Sequence, residues 1–118
     1  MTHTLYLIEP DPSERRRLQS VLAAEAEAVT AFESIETFLA RAVELEGGCL
    51  VVSAALPGLL ALLETFQRRV AAPPLIVLDR DTALRTAVDL MRAGAADFIE
   101  PGFGDRRLLA AVHRYFPE

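Results

Sequence analysis

Five apolar runs divide the 118 residues, each followed by a segment in which apolar positions recur every three or four residues. The first run, 4–8, gives way to Asp11-Pro12-Ser13-Glu14: an acid at a cap position, proline in the first helical turn, and glutamate three residues after the cap. Together these start a helix. Leu18, Val21 and Leu22 then share one face while Arg15, Arg16 and Arg17 begin on the solvent side, and the pattern fades near Glu25. A shorter run, 28–32, leads to Ser34 as the next cap and to an apolar face of Ile35, Phe38, Leu39 and Ala42, closed before Gly47-Gly48. Residues 49–53 and 74–78 are almost continuously apolar without alternation, which marks parallel strands covered on both faces. A third helix is predicted after Pro57-Gly58, through Phe66. A fourth is predicted over 81–94, with Leu84, Val88 and Met91 facing inward and Gly94 as its C′ residue. Phe98 and Ile99 make a short fifth strand, and Asp105 caps a last helix carrying Leu108, Leu109 and Val112 inward.

Strand and helix alternating with short connections predict an α/β fold: a doubly wound parallel sheet with helices on both faces. The length suits one domain over 1–118, and no repeat, low-complexity tract or linker interrupts it. Two readings of the tail, 115–118, stay open: the end of a complete single-domain protein, or the point where a further domain follows. Apolar residues make up 52% and charged residues 25%, a globular composition. The net charge of −5 argues against direct nucleic-acid binding by this segment. No apolar stretch approaches the roughly 18 residues of a membrane span, and the N-terminus has no signal-peptide pattern, so a cytoplasmic location is expected, with no membrane partner. The single Cys49 lies within an apolar run and is expected to pack as a small hydrophobe.

Four landmarks fall in order along the chain: Glu9 and Asp11 after the first run, Ser53 followed by Leu56-Pro57-Gly58, Asp79 after 74–78, and the segment Ala-Gly-Ala-Ala-Asp-Phe-Ile-Glu-Pro-Gly-Phe over 93–103. Together they resemble the receiver domain of bacterial two-component response regulators over essentially the whole chain, most closely receivers that precede a helix-turn-helix DNA-binding domain. The resemblance implies a flavodoxin-like receiver fold with strand order 2-1-3-4-5. It also implies a phosphorelay site: two adjacent acids after the first strand, a phosphate-accepting Asp after the third, a Ser or Thr after the fourth, and a Lys after the fifth. On this sequence those positions hold Glu9 and Pro10, Ser53, Asp79 and Pro101. Only Glu9 keeps the family's chemical character, and the chain contains no lysine at all.

In a doubly wound sheet the site lies beyond the carboxyl ends of the strands, which gathers Glu9, Pro10, Asp11, Ser53, Asp79 and Pro101 at one edge. Phosphoryl transfer needs a nucleophile, a divalent cation and a fixed positive charge, and none stands where the resemblance expects it. A serine hydroxyl needs an adjacent base, yet His3 precedes the first strand and His113 lies late in the last helix. Ser53 therefore reads as a small packing residue, or as a substrate for a serine kinase. Glu9, Asp11 and Asp79 are weak candidates for a Mg²⁺ site. Against it, Asp11 is accounted for as a helix cap, a pairing of Glu9 with Arg80 or another arginine is an alternative expectation, and Pro10 offers only a carbonyl. No metal, cofactor or catalytic residue is expected. Asp79 puts negative charge where a hydroxyl would meet phosphate, and Pro101-Gly102 reads as a tight turn.

The expected function is that of a pseudo-receiver: a receiver fold working without aspartyl phosphorylation, through dimerisation or docking of a sensor kinase or another signalling protein, as the input domain of a transcription regulator. The expected homodimer surface is the fourth helix, fifth strand and fifth helix, carrying Arg85, Asp89, Arg92, Asp97, Arg106, Arg107 and Arg114, a mixture of signs suited to reciprocal pairs. Two alternatives stand beside it: a small-ligand or metal sensor using the vacated acidic pocket, and a small enzyme on the same fold. The enzyme reading lacks a glycine-rich loop after the first strand and any Ser-His-Asp set.

Overall fold

The computed structural model describes residues 4–41, 48–68, 72–79, 84–100 and 105–115, with the side chains of Leu84 and Arg85 outside the description. In chain order the elements are β1 (Thr4–Ile8), α1 (Pro12–Leu22), β2 (Ala28–Phe32), α2 (Ile35–Arg41), β3 (Gly48–Ser53), α3 (Leu59–Gln67), β4 (Leu75–Leu78), α4 (Leu84–Arg92), β5 (Asp97–Ile99) and α5 (Arg106–Tyr115). The five strands form one parallel sheet in the order β2-β1-β3-β4-β5. This is the flavodoxin-like order that the resemblance implied.

The unbroken apolar runs are buried on both faces, as their lack of alternation requires: Cys49, Leu50, Val51 and Val52 of β3 and Ile76 and Val77 of β4 are fully covered. Alternate residues feed two cores. Leu50, Val52, Leu75 and Val77 pack with Ile35, Phe38, Leu59, Leu62, Leu63, Phe66 and Leu90 from α2, α3 and α4. Leu5, Leu7, Cys49, Val51 and Ile76 pack on the opposite face with Leu18 and Leu22 of α1 and Leu108, Ala111 and Val112 of α5. Each buried aliphatic side chain contributes about 1.5–3 kcal/mol, and β3 and β4 bury Leu50, Val51, Val52, Leu75, Ile76, Val77 and Leu78. Tyr6, Phe32 and Phe38 form an aromatic cluster, with Phe38 meeting both other rings edge-on.

The helix starts follow the local chemistry. Asp11 accepts a hydrogen bond from the Glu14 amide at 3.3 Å, and Ser34 Oγ accepts one from the Thr37 amide at 3.1 Å. Gly58 precedes α3 at φ +84°, and Gly94 follows α4 at φ +112°, both in the left-handed region that favours glycine. Three expectations need correcting. On α4, Val88 and Met91 are 38% and 44% exposed, whereas Leu90 is buried. That helix carries more apolar positions than one face can bury, and Leu90 is the one that packs into the core shared with α2 and α3. On α2, Leu39 is 55% exposed while Ile35 and Phe38 are buried, so the apolar face is narrower than its pattern. On α1, Arg16 and Arg17 lie on the exposed side as expected, whereas Arg15 is half-buried and turns back onto the chain. Ala42, Gly47, the predicted start of the fourth helix near Asp81, and Pro101-Gly102 lie outside the described residues.

Candidate functional site

The parallel register delivers the sequence-predicted residues to one edge of the sheet. Ile8 pairs with Val52, and Ser53 pairs with Leu78, so Glu9, Ser53 and Asp79 follow one another across the ends of β1, β3 and β4. Backbone hydrogen bonds continue this edge beyond the strands: Glu9 N–H donates to Phe32 O, Ala54 N–H to Leu78 O and Asp79 N–H to Ile99 O. Glu9, Ser53 and Asp79 are each half-buried, while Pro10 and Asp11 are exposed. Pro101, the remaining member of the predicted pocket, lies outside the described residues, as does Arg80.

Around β1 the carboxylates serve the backbone. Glu9 Oε2 accepts the amide of Asp11 at 3.2 Å, and the carboxylate of Asp11 caps α1. Arg15 turns back from the first turn of α1 and donates through Nη1 to the carbonyl of Glu9 at 2.9 Å and, more weakly, to that of Pro10 at 3.4 Å. A guanidinium is therefore the cation bonded to these carbonyls. At the end of β3 the Ser53 hydroxyl accepts the Ala55 amide at 3.2 Å, a local turn of the kind serine favours, and Ser53 O accepts Leu56 N–H at 3.2 Å. No histidine stands among the described residues at this edge.

Such an arrangement can hold polar groups but is poorly suited to a divalent cation. Mg²⁺ requires near-octahedral oxygen donors from one or two carboxylates with several waters. Here Asp11 is occupied as a cap, Pro10 lacks a carboxylate, and its carbonyl already receives Arg15. Among the described residues, no group of three His, Cys, Asp or Glu side chains is placed to bind a metal. Among the described residues, the donor set does not fit the ion that the receiver resemblance implies. Cys49 adds no chemistry: burial pushes its thiol up to about 12, far above the range in which a thiolate reacts.

The predicted association face is placed as follows. Arg92, Arg106, Arg107 and Arg114 are exposed, and the Arg114 guanidinium lies 6.0 Å from the Tyr115 ring centroid. Asp97 is half-buried, and its carboxylate accepts the Phe98 amide at 2.8 Å. Asp89 is exposed but lines a groove toward α3 with Leu60 and Thr86, on the opposite flank of α4 from Met91. The side chain of Arg85 is not described. The pattern reading missed Val88 and Met91, which with Ala87 and Arg92 line a shallow hollow of about 370 Å³ on the exposed flank of α4. Their excess over the stripe that docks on the sheet was the available signal.

The geometry can be set beside known proteins. No family model matches the chain. It is 36% identical over 110 residues to the transcriptional regulatory protein FixJ of Azorhizobium caulinodans, covering 92% of this chain and 52% of that protein. To FixJ of Bradyrhizobium diazoefficiens it is 31% identical over 110 residues, covering 92% and 54%. The chain thus spans about half the length of these curated relatives. Among solved structures it superposes on FixJ-N with a TM-score of 0.84 and 30% identity, covering 98% of this chain and 94% of that one. A response regulator receiver protein from Pseudoalteromonas atlantica gives a TM-score of 0.81 and 29% identity, with 95% of each chain covered. With the strand order, the edge of the sheet that gathers Glu9, Ser53 and Asp79, and near-complete superposition on FixJ-N all in agreement, the chain belongs to the response-regulator receiver family.

Proposed function

We propose that this is an atypical, cytoplasmic receiver domain that signals without phosphorylation, by contact with a second copy of itself through α4, β5 and α5, and that it forms the input domain of a transcription regulator. The observation that carries the reading is Ser53. It occupies the end of β3, where the family resemblance puts the accepting aspartate, and its hydroxyl is turned onto the Ala55 amide in a chain without a lysine. Glu9 and Asp11 are bonded to backbone amides, Asp79 adds a carboxylate to the same edge, and the described residues offer Mg²⁺ no suitable donor set there. Contact, rather than catalysis, is what remains.

The α4 flank supports the second half of the reading. Val88 and Met91 form an exposed apolar centre, with Arg92 beside it and Asp97, Arg106 and Arg107 on the neighbouring elements. An apolar centre within a charged rim is the usual anatomy of a protein interface. Transcription regulation comes from the relatives, which are transcriptional regulatory proteins about twice this chain's length. Incubation with acetyl phosphate or phosphoramidate and Mg²⁺, followed by intact mass spectrometry, tests the first half: the mass is expected to stay unchanged. A labile adduct of one phosphoryl group would overturn the proposal.

A further inference from the structure

We infer that Arg17 is a clasp that holds the head of α5 against α1. Its Nη1 donates to both carboxylate oxygens of Asp105, at 3.0 and 2.9 Å, while its Nε engages the carboxylate of Glu14 one turn earlier on its own helix. Glu14 is only 8% exposed, the one buried charged side chain among the described residues, so Arg17 is oriented from beneath by a carboxylate with little access to water. A planar guanidinium can serve both acids at once, which an ammonium on a flexible stem does less well.

The position of Asp105 gives the bridge its consequence. It stands immediately before α5, and its carbonyl accepts the Leu109 amide at 2.9 Å, the hydrogen bond that opens the helix. The residue that begins α5 is thereby tied by its side chain to α1. Farther along the same seam, Glu25 Oε2 approaches His113 Nδ1 at 3.9 Å across the same sequence interval of 88 residues. The two helices share one core, in which Leu18 and Leu22 join Leu108, Ala111 and Val112. His113 is 84% exposed and its contact is long, which leaves Arg17 as the polar tie at the α5 start. Through it, the placement of α1 sets the placement of one of the helices that make up the proposed association face. That last consequence rests on the function proposed above; the clasp itself does not.

The test is amide hydrogen exchange on dilute protein, where self-association plays no part. Arg17→Met keeps the aliphatic stem and removes the donors. Exchange of the Leu109 amide is expected to accelerate roughly two- to tenfold while Leu7 and Val51 in the central sheet keep their rates. Asp105→Asn, which leaves the Glu14–Arg17 pair intact, is expected to reproduce the effect at Leu109. Unchanged exchange at Leu109 in both variants would overturn the clasp. So would acceleration shared equally by Leu7 and Val51, since Arg17 would then support only global stability. Sedimentation of the same variants reports separately on the association face: a local effect at Leu109 in a protein that never dimerises would sink the proposed function and leave the clasp standing.

Discussion

Ser53 Oγ accepts the amide proton of Ala55 at 3.2 Å, folding the side chain at the end of β3 back onto its own loop. A hydroxyl so placed satisfies the loop backbone, and among the described residues no histidine stands beside it. The chemistry of this edge is therefore decided by several residues together, which makes repair by one substitution a discriminating experiment.

Ser53→Asp alone is expected to leave the protein unphosphorylated by acetyl phosphate. Pro10 still lacks a carboxylate, Asp79 still adds negative charge, and lysine is still absent. The new acid joins Glu9 and Asp79 at the ends of adjacent strands, and like-charge crowding should destabilise the fold by about 1 kcal/mol at neutral pH. Rapid appearance of an acyl phosphate in this variant, seen by intact mass, would contradict the account of the pocket.

Self-association should depend more on apolar contact than on any one charge. Met91→Glu places a charge at the exposed apolar centre of α4 and is expected to weaken the dimer by more than about tenfold. Asp97→Arg would alter the proposed rim pair with Arg92 or Arg114 of the other copy, worth about 0–1 kcal/mol, and should loosen the dimer without abolishing it. Analytical ultracentrifugation across a concentration series checks both. A strict monomer at high concentration, or a dimer indifferent to both changes, would remove the proposed surface.

Adjacent residues on α4 should differ sharply in their effect on stability. Leu90 is 4% exposed, so Leu90→Ala is expected to cost about 2–4 kcal/mol by opening a cavity in the core shared with α3. Met91→Ala, on the exposed flank, should change stability by no more than about 0.5 kcal/mol. Urea unfolding of the two variants at low protein concentration provides the comparison, and equal losses would show that the helix is docked on a different face.

Cys49 should make stability fall at alkaline pH. Burial raises its thiol from the usual 9.0 to about 12 in the folded protein. Below pH 9 both folded and unfolded thiols are protonated and the contribution is fully present. Between pH 9 and 12 the unfolded chain releases its proton while the folded one keeps it, so stability declines with a limiting slope of about 1.4 kcal/mol per pH unit. Urea titrations from pH 8 to 10 should show this decline reduced in Cys49→Ala, and identical pH profiles for the two proteins would count against the buried thiol.

The features legible along the chain were those set by local chemistry. Asp11 and Ser34 cap the helices their spacing predicted, and the unalternating runs at β3 and β4 became strands buried on both faces. What escaped was decided by packing between distant segments. A period of 3.6 residues shows that α4 has apolar stripes, but only the shape of the sheet and α3 selects Leu90 over Met91 for burial. Arg17 looked like a solvent-facing member of an arginine run because its partner Asp105 lies 88 positions later. For the site, Glu9, Ser53 and Asp79 reach one edge as the doubly wound order requires, whereas the bond from Arg15 to the Glu9 carbonyl depends on a turn of backbone that composition does not encode.

The shortness of β5 limits how another molecule could engage that end of the sheet. Asp97–Ile99 offers a free margin of three residues, too little backbone for a partner strand to extend the sheet with a useful ladder of hydrogen bonds. A partner there must be recognised through side chains, and side-chain recognition is specific in a way backbone pairing is not. Related chains sharing this architecture could therefore coexist without exchanging partners, provided that they differ at the few positions around Val88, Met91 and Asp97.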